Sequence, residues 1–205
     1  MGRSGSGRQE FPRCPGKYFE HGGPKGLAGK PLGGSALLSD RLQQAINEQI
    51  TWEFFSAHLY LAMAAYCAAQ DLDGFVNFFK VQAEEEKFHA MKFFDFVNGR
   101  QGRVRLGALA EPPNDYQSVL AACEKALAHE EAVTARIYNL MNIATEEKEH
   151  ATISFLKWFV DEQVEEESNF NGLIIKLRRV ENDPAGLYNL DAQLAARVFT
   201  PPPQA

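Results

Sequence analysis

Cysteine is scarce in this chain: three residues, Cys14, Cys67 and Cys123, among 205. They are odd in number, widely spaced and form no Cys-x-x-Cys pair, so neither a zinc ribbon nor a disulfide framework is implied. Cys67 and Cys123 lie in apolar helical stretches and read as small core residues, which suits a reducing cytoplasm. Positive charge is also in short supply. With 21 Lys and Arg against 27 Asp and Glu the net charge is −6, and a nucleic-acid footprint, which needs a basic patch, is excluded. Long apolar runs are missing too. The longest apolar-looking stretch, residues 54–69, contains His58 and follows Glu53, too short and polar-edged for a membrane span. No apolar stretch near the start resembles a secretion signal.

Hydrophobic residues at 45% with charged residues at 23% fit a soluble globular protein, most simply one domain with appendages. Glycine is plentiful only at the start. Ten of the 16 glycines fall within residues 1–34, where six basic residues meet two acidic ones. Without hydrophobic periodicity, residues 1–36 read as a flexible Gly/Pro-rich extension. The folded domain is expected over 37–199, with a Pro-rich tail at 200–205.

Within that domain the apolar residues recur at helical spacing. Ser39 or Asp40 caps a first helix that carries Leu42, Ile46, Gln49, Glu53 and Tyr60 on one face and ends near residue 70. A second, over 74–98, carries Phe75, Phe79, Gln82, Glu86, His89 and Phe93. The third shows Leu120, Cys123, Leu127, Glu130, Thr134, Ile137 and Met141, and ends near residue 144. The fourth opens at Thr145, includes the acidic run Glu146-Glu147-Lys148-Glu149 in its first turn, and continues to about residue 180. Its inward face holds Leu156, Val160, Gln163, Glu166 or Glu167, and Phe170. Asn182-Asp183-Pro184 breaks it, and a short fifth helix follows over 187–198.

The connection over 99–116 is long for a bundle. A helix of such length spans about 40 Å, and the loop, extended, reaches up to roughly 60 Å. It can therefore travel the full bundle, leaving the second and third helices parallel: an all-α four-helix bundle with one long crossover.

Glu53, Glu86, His89, Glu130, Gln163 and Glu166 fall on core stripes near the middle of four different helices. One glutamate at a stripe edge reaches solvent easily. A whole layer of carboxylates facing a core is another matter, because desolvation and mutual repulsion are severe without bound cations. Glu86-x-x-His89 facing inward is a spacing by which helical bundles hold metal. A carboxylate-rich set with one histidine disfavours structural zinc and suits iron or manganese.

Four segments carry a family resemblance: Asn47-Glu48-Gln49-Ile50-Thr51-Trp52-Glu53, Glu84-Glu85-Glu86-Lys87-Phe88-His89, Ala128-His129-Glu130 and Asp161-Glu162-Gln163-Val164-Glu165-Glu166-Glu167. With Gly186-Leu187-Tyr188, they resemble the ligand segments of prokaryotic-type non-haem ferritins, in order over about residues 37–198. The resemblance implies the ferritin-like bundle with its fifth helix. It implies that Glu53, Glu86 and His89 hold a first iron, and that Glu86 bridges to a second held with Glu130 and Glu166. Gln163 is then a hydrogen-bonding neighbour. Glu85, Glu162 and Glu165, sharing Glu166, resemble a third iron site, although their spacing alone equally suits a solvated acidic face. Tyr60 and Trp158 read as core aromatics. The resemblance places Tyr60 beside the centre as an electron donor, with Trp158 a second candidate. His58, His129 and His150 read as helix-surface or interface residues.

The departures narrow the family. Helix four carries Gln163-x-x-Glu166 in place of a second Glu-x-x-His, unlike bacterioferritins and oxygenase-type di-iron proteins. Lys87 stands where bacterioferritins use a haem-binding methionine, so no haem is expected. The resemblance implies a cytoplasmic iron-storage ferroxidase, oxidising Fe(II) with dioxygen or peroxide within a homo-oligomeric shell of twenty-four subunits. A ferritin-like peroxidase that retains no mineral, and a shell subunit without its own catalysis, are the rivals.

Overall fold

The computed structural model describes residues 37–201; the N-terminal extension and the last four residues lie outside that range. Five helices account for the regular structure of the described residues: α1 (Asp40–Ala68), α2 (Asp73–Gly99), α3 (Val119–Glu146), α4 (His150–Arg179) and α5 (Pro184–Leu194). None is long and apolar enough to cross a membrane.

Capping explains where the chain enters each helix. The Ser39 hydroxyl accepts from the Leu42 amide at 3.0 Å and the Ser118 hydroxyl from Ala121 at 3.1 Å, each satisfying an amide that the first turn leaves bare. Asp183 caps α5, with Pro184 in the first turn, where its missing N–H costs nothing. The tripeptide expected to break α4 thus also starts α5. This helix begins three residues earlier than its sequence pattern indicated and ends at Leu194, four residues earlier. The acidic run between α3 and α4 likewise differs from expectation. Glu146 ends α3, residues 147–149 form the turn with Lys148 at φ 55°, and Glu149 caps α4 by accepting from the Thr152 amide at 2.8 Å. Acids that look like a first helical turn serve as turn and cap.

The short links 69–72 and 147–149 make α1/α2 and α3/α4 antiparallel pairs. Hydrogen bonds to α1 fix the path of the long α2–α3 connection. The Arg103 amide donates to Gln43 Oε1 at 2.8 Å, the Arg105 amide to Asn47 Oδ1 at 3.0 Å, and the Gly107 amide to Thr51 Oγ1 at 3.0 Å. Farther on, Tyr116 meets Tyr66 edge-on, with ring centroids 5.3 Å apart. The loop therefore climbs α1 from its N-terminal to its C-terminal end and delivers α3 parallel to α2, the one-crossover topology expected from loop length.

Two apolar clusters fill the bundle. One holds Leu59, Met63, Phe75, Phe79 and Phe170, the other Ile46, Ile50, Phe93, Leu140 and Phe159. Along every one of the four long helices the chain passes from one cluster to the other through a polar stretch. On α3 the buried face is Ala122, Cys123, Ala126, Val133 and Ile137, while Leu120, Leu127 and Met141 are only half-buried. Of the expected stripe Cys123, Glu130 and Ile137 are buried, while Leu120, Leu127 and Met141 lie to one side of a face that also takes Ala122, Ala126, Val133 and Leu140.

α5 docks on α2 at Gly74. A Cβ there would stand 1.7 Å from the Asp191 carbonyl oxygen, while the Asp191 side chain accepts from the Phe75 amide at 2.9 Å. Gly74→Ala is expected to cost about 1–3 kcal/mol through forced backbone displacement and to undock α5. Amide hydrogen exchange should quicken in α5 and leave mid-α2 protected; unchanged α5 exchange would show that the contact is not limiting.

Candidate metal centre

Between the two apolar clusters the four helices contribute one polar layer. Glu53, Glu86, Glu130 and Glu166 are each at most 3% exposed, as are His89, Gln49, Gln82 and Gln163. Helical spacing puts these groups inward. Only the pairing of helices brings them to one level.

The structure gathers Glu53, Glu86 and His89 most closely: one ligand atom from each lies within 4.8 Å of the others. No second group of three or more acidic, histidine or cysteine side chains closes to that distance among the described residues. Glu130 and Glu166 are turned to neighbours instead. Glu130 accepts from the Tyr60 hydroxyl on one oxygen and from Gln163 Nε2 on the other, at 3.1 Å. Gln82 Nε2 donates to Glu166 Oε2 at 2.8 Å. Glu53 is held by Gln49 Nε2 at 2.9 Å, and Gln49 in turn accepts from Arg136 Nε at 2.9 Å. Glu86 differs from all three. Both of its oxygens are buried and unpartnered, and Glu53 Oε2 is bare as well.

Orphaned carboxylate oxygens are expensive in a protein interior, and the titration of the layer reflects it. Desolvation is the largest cause throughout. It raises the Glu53 carboxyl to about 7 and that of Glu166 to about 7, with other carboxylates adding to the rise. Glu130 is pushed up to about 8 by burial and by Glu166. Glu86 is raised well above the ordinary range by burial, then by Glu130, Glu53 and Glu166. Burial drives His89 down to about 3, so its ring is neutral. Nδ1 stands 3.6 Å from Glu86 Oε2 and Nε2 4.0 Å from Glu162 Oε1. Bare carboxylate oxygens around a neutral imidazole fit a divalent cation, whose charge would offset the repulsion that raises these carboxyl groups.

Tyr60 is fully buried, its ring stacked between Phe79 and Phe170. Trp158 is partly buried and edge-on to His89, with centroids 5.4 Å apart. Glu85 and Glu162 are half-buried and Glu165 is exposed. Glu85 is engaged by Arg197, at 2.7 Å.

His129 contradicts the surface placement read from the sequence: it is 0% exposed. Its ring stacks on Trp52, with centroids 5.6 Å apart, and meets Tyr60 edge-on at 6.2 Å. Its Nε2 lies 2.7 Å from Ser56 Oγ, and Ser56 Oγ lies 3.2 Å from the Trp52 carbonyl oxygen. The bare alanines at Ala122 and Ala126 widen the buried face of α3 toward residue 129, a signal masked by the larger Leu127. The braces Gln49 and Gln82 stood on the expected stripes four residues before Glu53 and Glu86. Arg136 had no sequence signal, since its partner lies on another helix.

Residues 43–180 match the Ferritin family, described as a ferritin-like domain. The chain is 45% identical over 163 residues to a bacterial non-heme ferritin of Staphylococcus aureus, covering 80% of this chain and 98% of that one. It is 47% identical over 163 residues to the corresponding protein of Staphylococcus epidermidis, with the same coverage. Among solved structures, an engineered closed form of the Archaeoglobus fulgidus ferritin matches with TM-score 0.79 and 48% identity, covering 80% of this chain and 99% of that chain. The open-pore ferritin of Archaeoglobus fulgidus matches with TM-score 0.78 and 46% identity over 78% and 98% of the two chains.

A pH dependence follows from the raised carboxyls. Their native pKa values of about 7 to 8 exceed the ordinary 4.5, so across that interval the native chain holds protons the unfolded chain has lost. Stability then falls as pH rises, by about 1.4 kcal/mol per pH unit for each such proton. His89 and His129, lowered to about 3 and about 4 from 6.5, work in the opposite sense but only below their unfolded value. Denaturant midpoints of metal-free protein in chelator should therefore fall from pH 6.5 to 8.5, and Glu130→Gln should flatten the fall. A level profile would mean that these carboxyls titrate in the ordinary range.

Proposed function

The chain belongs to the ferritin family, as a prokaryotic non-haem member, and on that premise we propose that it oxidises Fe(II) at the polar layer and stores the product. The observation that carries this reading is Glu86. It is the one carboxylate of the layer with both oxygens unpartnered, and it is electrostatically coupled to Glu130, Glu53 and Glu166. A carboxylate in that position can bridge two cations. Glu53 and His89 would complete the ligands of one Fe(II), Glu130 and Glu166 those of the other. Glu130 and Glu166 each have an oxygen engaged by Gln163 or Gln82, and small turns of these side chains would carry them onto the second ion.

The reaction takes one electron from each of two Fe(II) ions: with dioxygen and two protons, the products are two Fe(III) and hydrogen peroxide. Holding both ions together makes the two-electron step local. The resemblance reads Tyr60, whose hydroxyl donates to Glu130, as an electron donor to the centre. Taking dioxygen on to water needs two electrons beyond those of the iron pair, one from Tyr60 with its phenolic proton passing to that carboxylate and one from a third Fe(II). The resemblance adds a third iron site at Glu85, Glu162 and Glu165, beside the centre. It also supplies assembly into a shell of twenty-four subunits with mineral inside, and a cytoplasmic setting. Relatives named ferritins over nearly their full length support the storage role.

Glu86→Ala removes the bridge. Rapid Fe(II) oxidation, followed by stopped-flow absorbance in air, is expected to drop by at least about 100-fold, since even outer neighbours of metal ligands cost 10–100-fold. Gln49→Ala, which frees Glu53 to wander, should cost about tenfold. Rapid oxidation surviving Glu86→Ala would remove the assigned centre.

Storage is tested separately. Fe(II) is added without oxygen, air is admitted, and the protein is separated by size with iron assayed across fractions. Iron eluting inside a very large particle is the expected result. Precipitated iron beside small protein would leave a redox enzyme and no store.

A further inference from the structure

Beyond α5 the chain turns back along α2. Asn77 Nδ2 donates to the carbonyls of Leu194 at 3.1 Å and Arg197 at 2.9 Å. The Arg197 guanidinium lies 4.6 Å from the Phe78 ring centroid and reaches Glu85 Oε2 at 2.7 Å. Phe199 then packs against Phe88, with centroids 5.8 Å apart. Residues 77 to 88 rise about 16 Å along the helix, so residues 195–201 form a strap that runs from the start of α2 to the turn holding Glu86 and His89.

Its charge arrives at Glu85, the carboxylate that the proposed third site would share with Glu162 and Glu165. Glu85 has Glu162 and Glu165 as its negative neighbours and Arg197 as its positive one. The side chains of the ion pair are 23% and 18% exposed, so water screens the pair only in part. The guanidinium is also incompletely satisfied: Nη1 is buried with no hydrogen-bond partner. The guanidinium thus holds Glu85 by a single hydrogen bond, with the Phe78 ring as its other contact.

We propose that Arg197 is a tethered cation that competes with Fe(II) for Glu85 and so sets the affinity of the third iron site; this rests on the ferroxidase reading above and on the third site within it. An iron ion entering between Glu85, Glu162 and Glu165 must take Glu85 from Arg197 and bear the repulsion of a guanidinium until the strap moves. When iron leaves, the strap closes again and neutralises the bare carboxylate. The third site is thereby kept a place of passage.

The test is anaerobic calorimetric titration of the assembled full-length protein with Fe(II). Arg197→Gln is expected to tighten the third Fe(II) per subunit by about fivefold and the first two by a smaller factor, because Arg197 also lies near Glu166. Arg197→Lys, which keeps the charge, should stay near wild type. Asn77→Ala removes both strap hydrogen bonds and leaves Glu85 and Arg197 intact; it should also tighten the third step, and it carries the test if Arg197→Gln does not assemble. In wild type, amide exchange over residues 195–201 should quicken when the third Fe(II) binds but not when the first two do. A third step unchanged in both Arg197→Gln and Asn77→Ala overturns the competition. A wild-type isotherm with only two Fe(II), unaltered by Glu162→Gln with Glu165→Gln, would instead remove the third site itself, and the proposal with it.

Discussion

Four carboxyl groups share one buried layer of this bundle, and most of the structure is arranged around tolerating them. Removing a carboxylate from water costs several kcal/mol even after relaxation, and their mutual repulsion adds to that. The layer survives because packed apolar clusters lie on both sides of it. Aromatic residues dominate those flanks, with Phe79 and Phe170 on one side and Phe93 and Phe159 on the other. The last pair is stacked with centroids 4.1 Å apart. Large rings supply much apolar burial per residue, which offsets a polar layer without lengthening the helices.

The bracing within the layer is uneven, and the unevenness is chemically useful. Glu53, Glu130 and Glu166 each have an oxygen held by a neutral donor, which fixes Glu53 toward Glu86 and His89 and holds Glu130 and Glu166 a small turn away. Glu86 is left open, with both oxygens available. Behind Glu53 the bracing continues outward through Gln49 to Arg136, whose guanidinium lies 4.5 Å from the Trp52 ring centroid, and Trp52 stacks on His129. A positive charge thus supports the layer from a distance without entering it. Arg197 does the same from the other side through Glu85, from the segment that follows α5.

Much of this was legible in the sequence because helix period alone decides which side chains share a face. Glu86 and His89, at i and i+3, had to point the same way. So did Gln49 and Glu53, and the ranking of apolar residues around them marked that face as buried. The misread positions have two causes. On α3 the expected stripe followed Leu120, Leu127 and Met141, whereas the buried face is turned slightly toward Ala122, Ala126 and Leu140, and His129 came inside with them. The acidic run before α4 and the Asn182-Asp183-Pro184 break were read by composition, but cap geometry gave Glu149 and Asp183 their roles.

The chain by itself determined the four amphipathic helices, the span of the long connection, and the inward facing of Glu53, Glu86, His89, Glu130 and Glu166, all local consequences of a 3.6-residue repeat and a fixed rise. Only the tertiary structure decided which of those groups meet. The reach of Gln82 to Glu166, of Arg136 to Gln49, of Tyr60 to Glu130 and of Arg197 to Glu85 depends on axial register and rotation between helices. Helical periodicity fixes neither, because any helix can slide by a turn along its partner and keep its own face inward. Packing of the two apolar clusters removes that freedom.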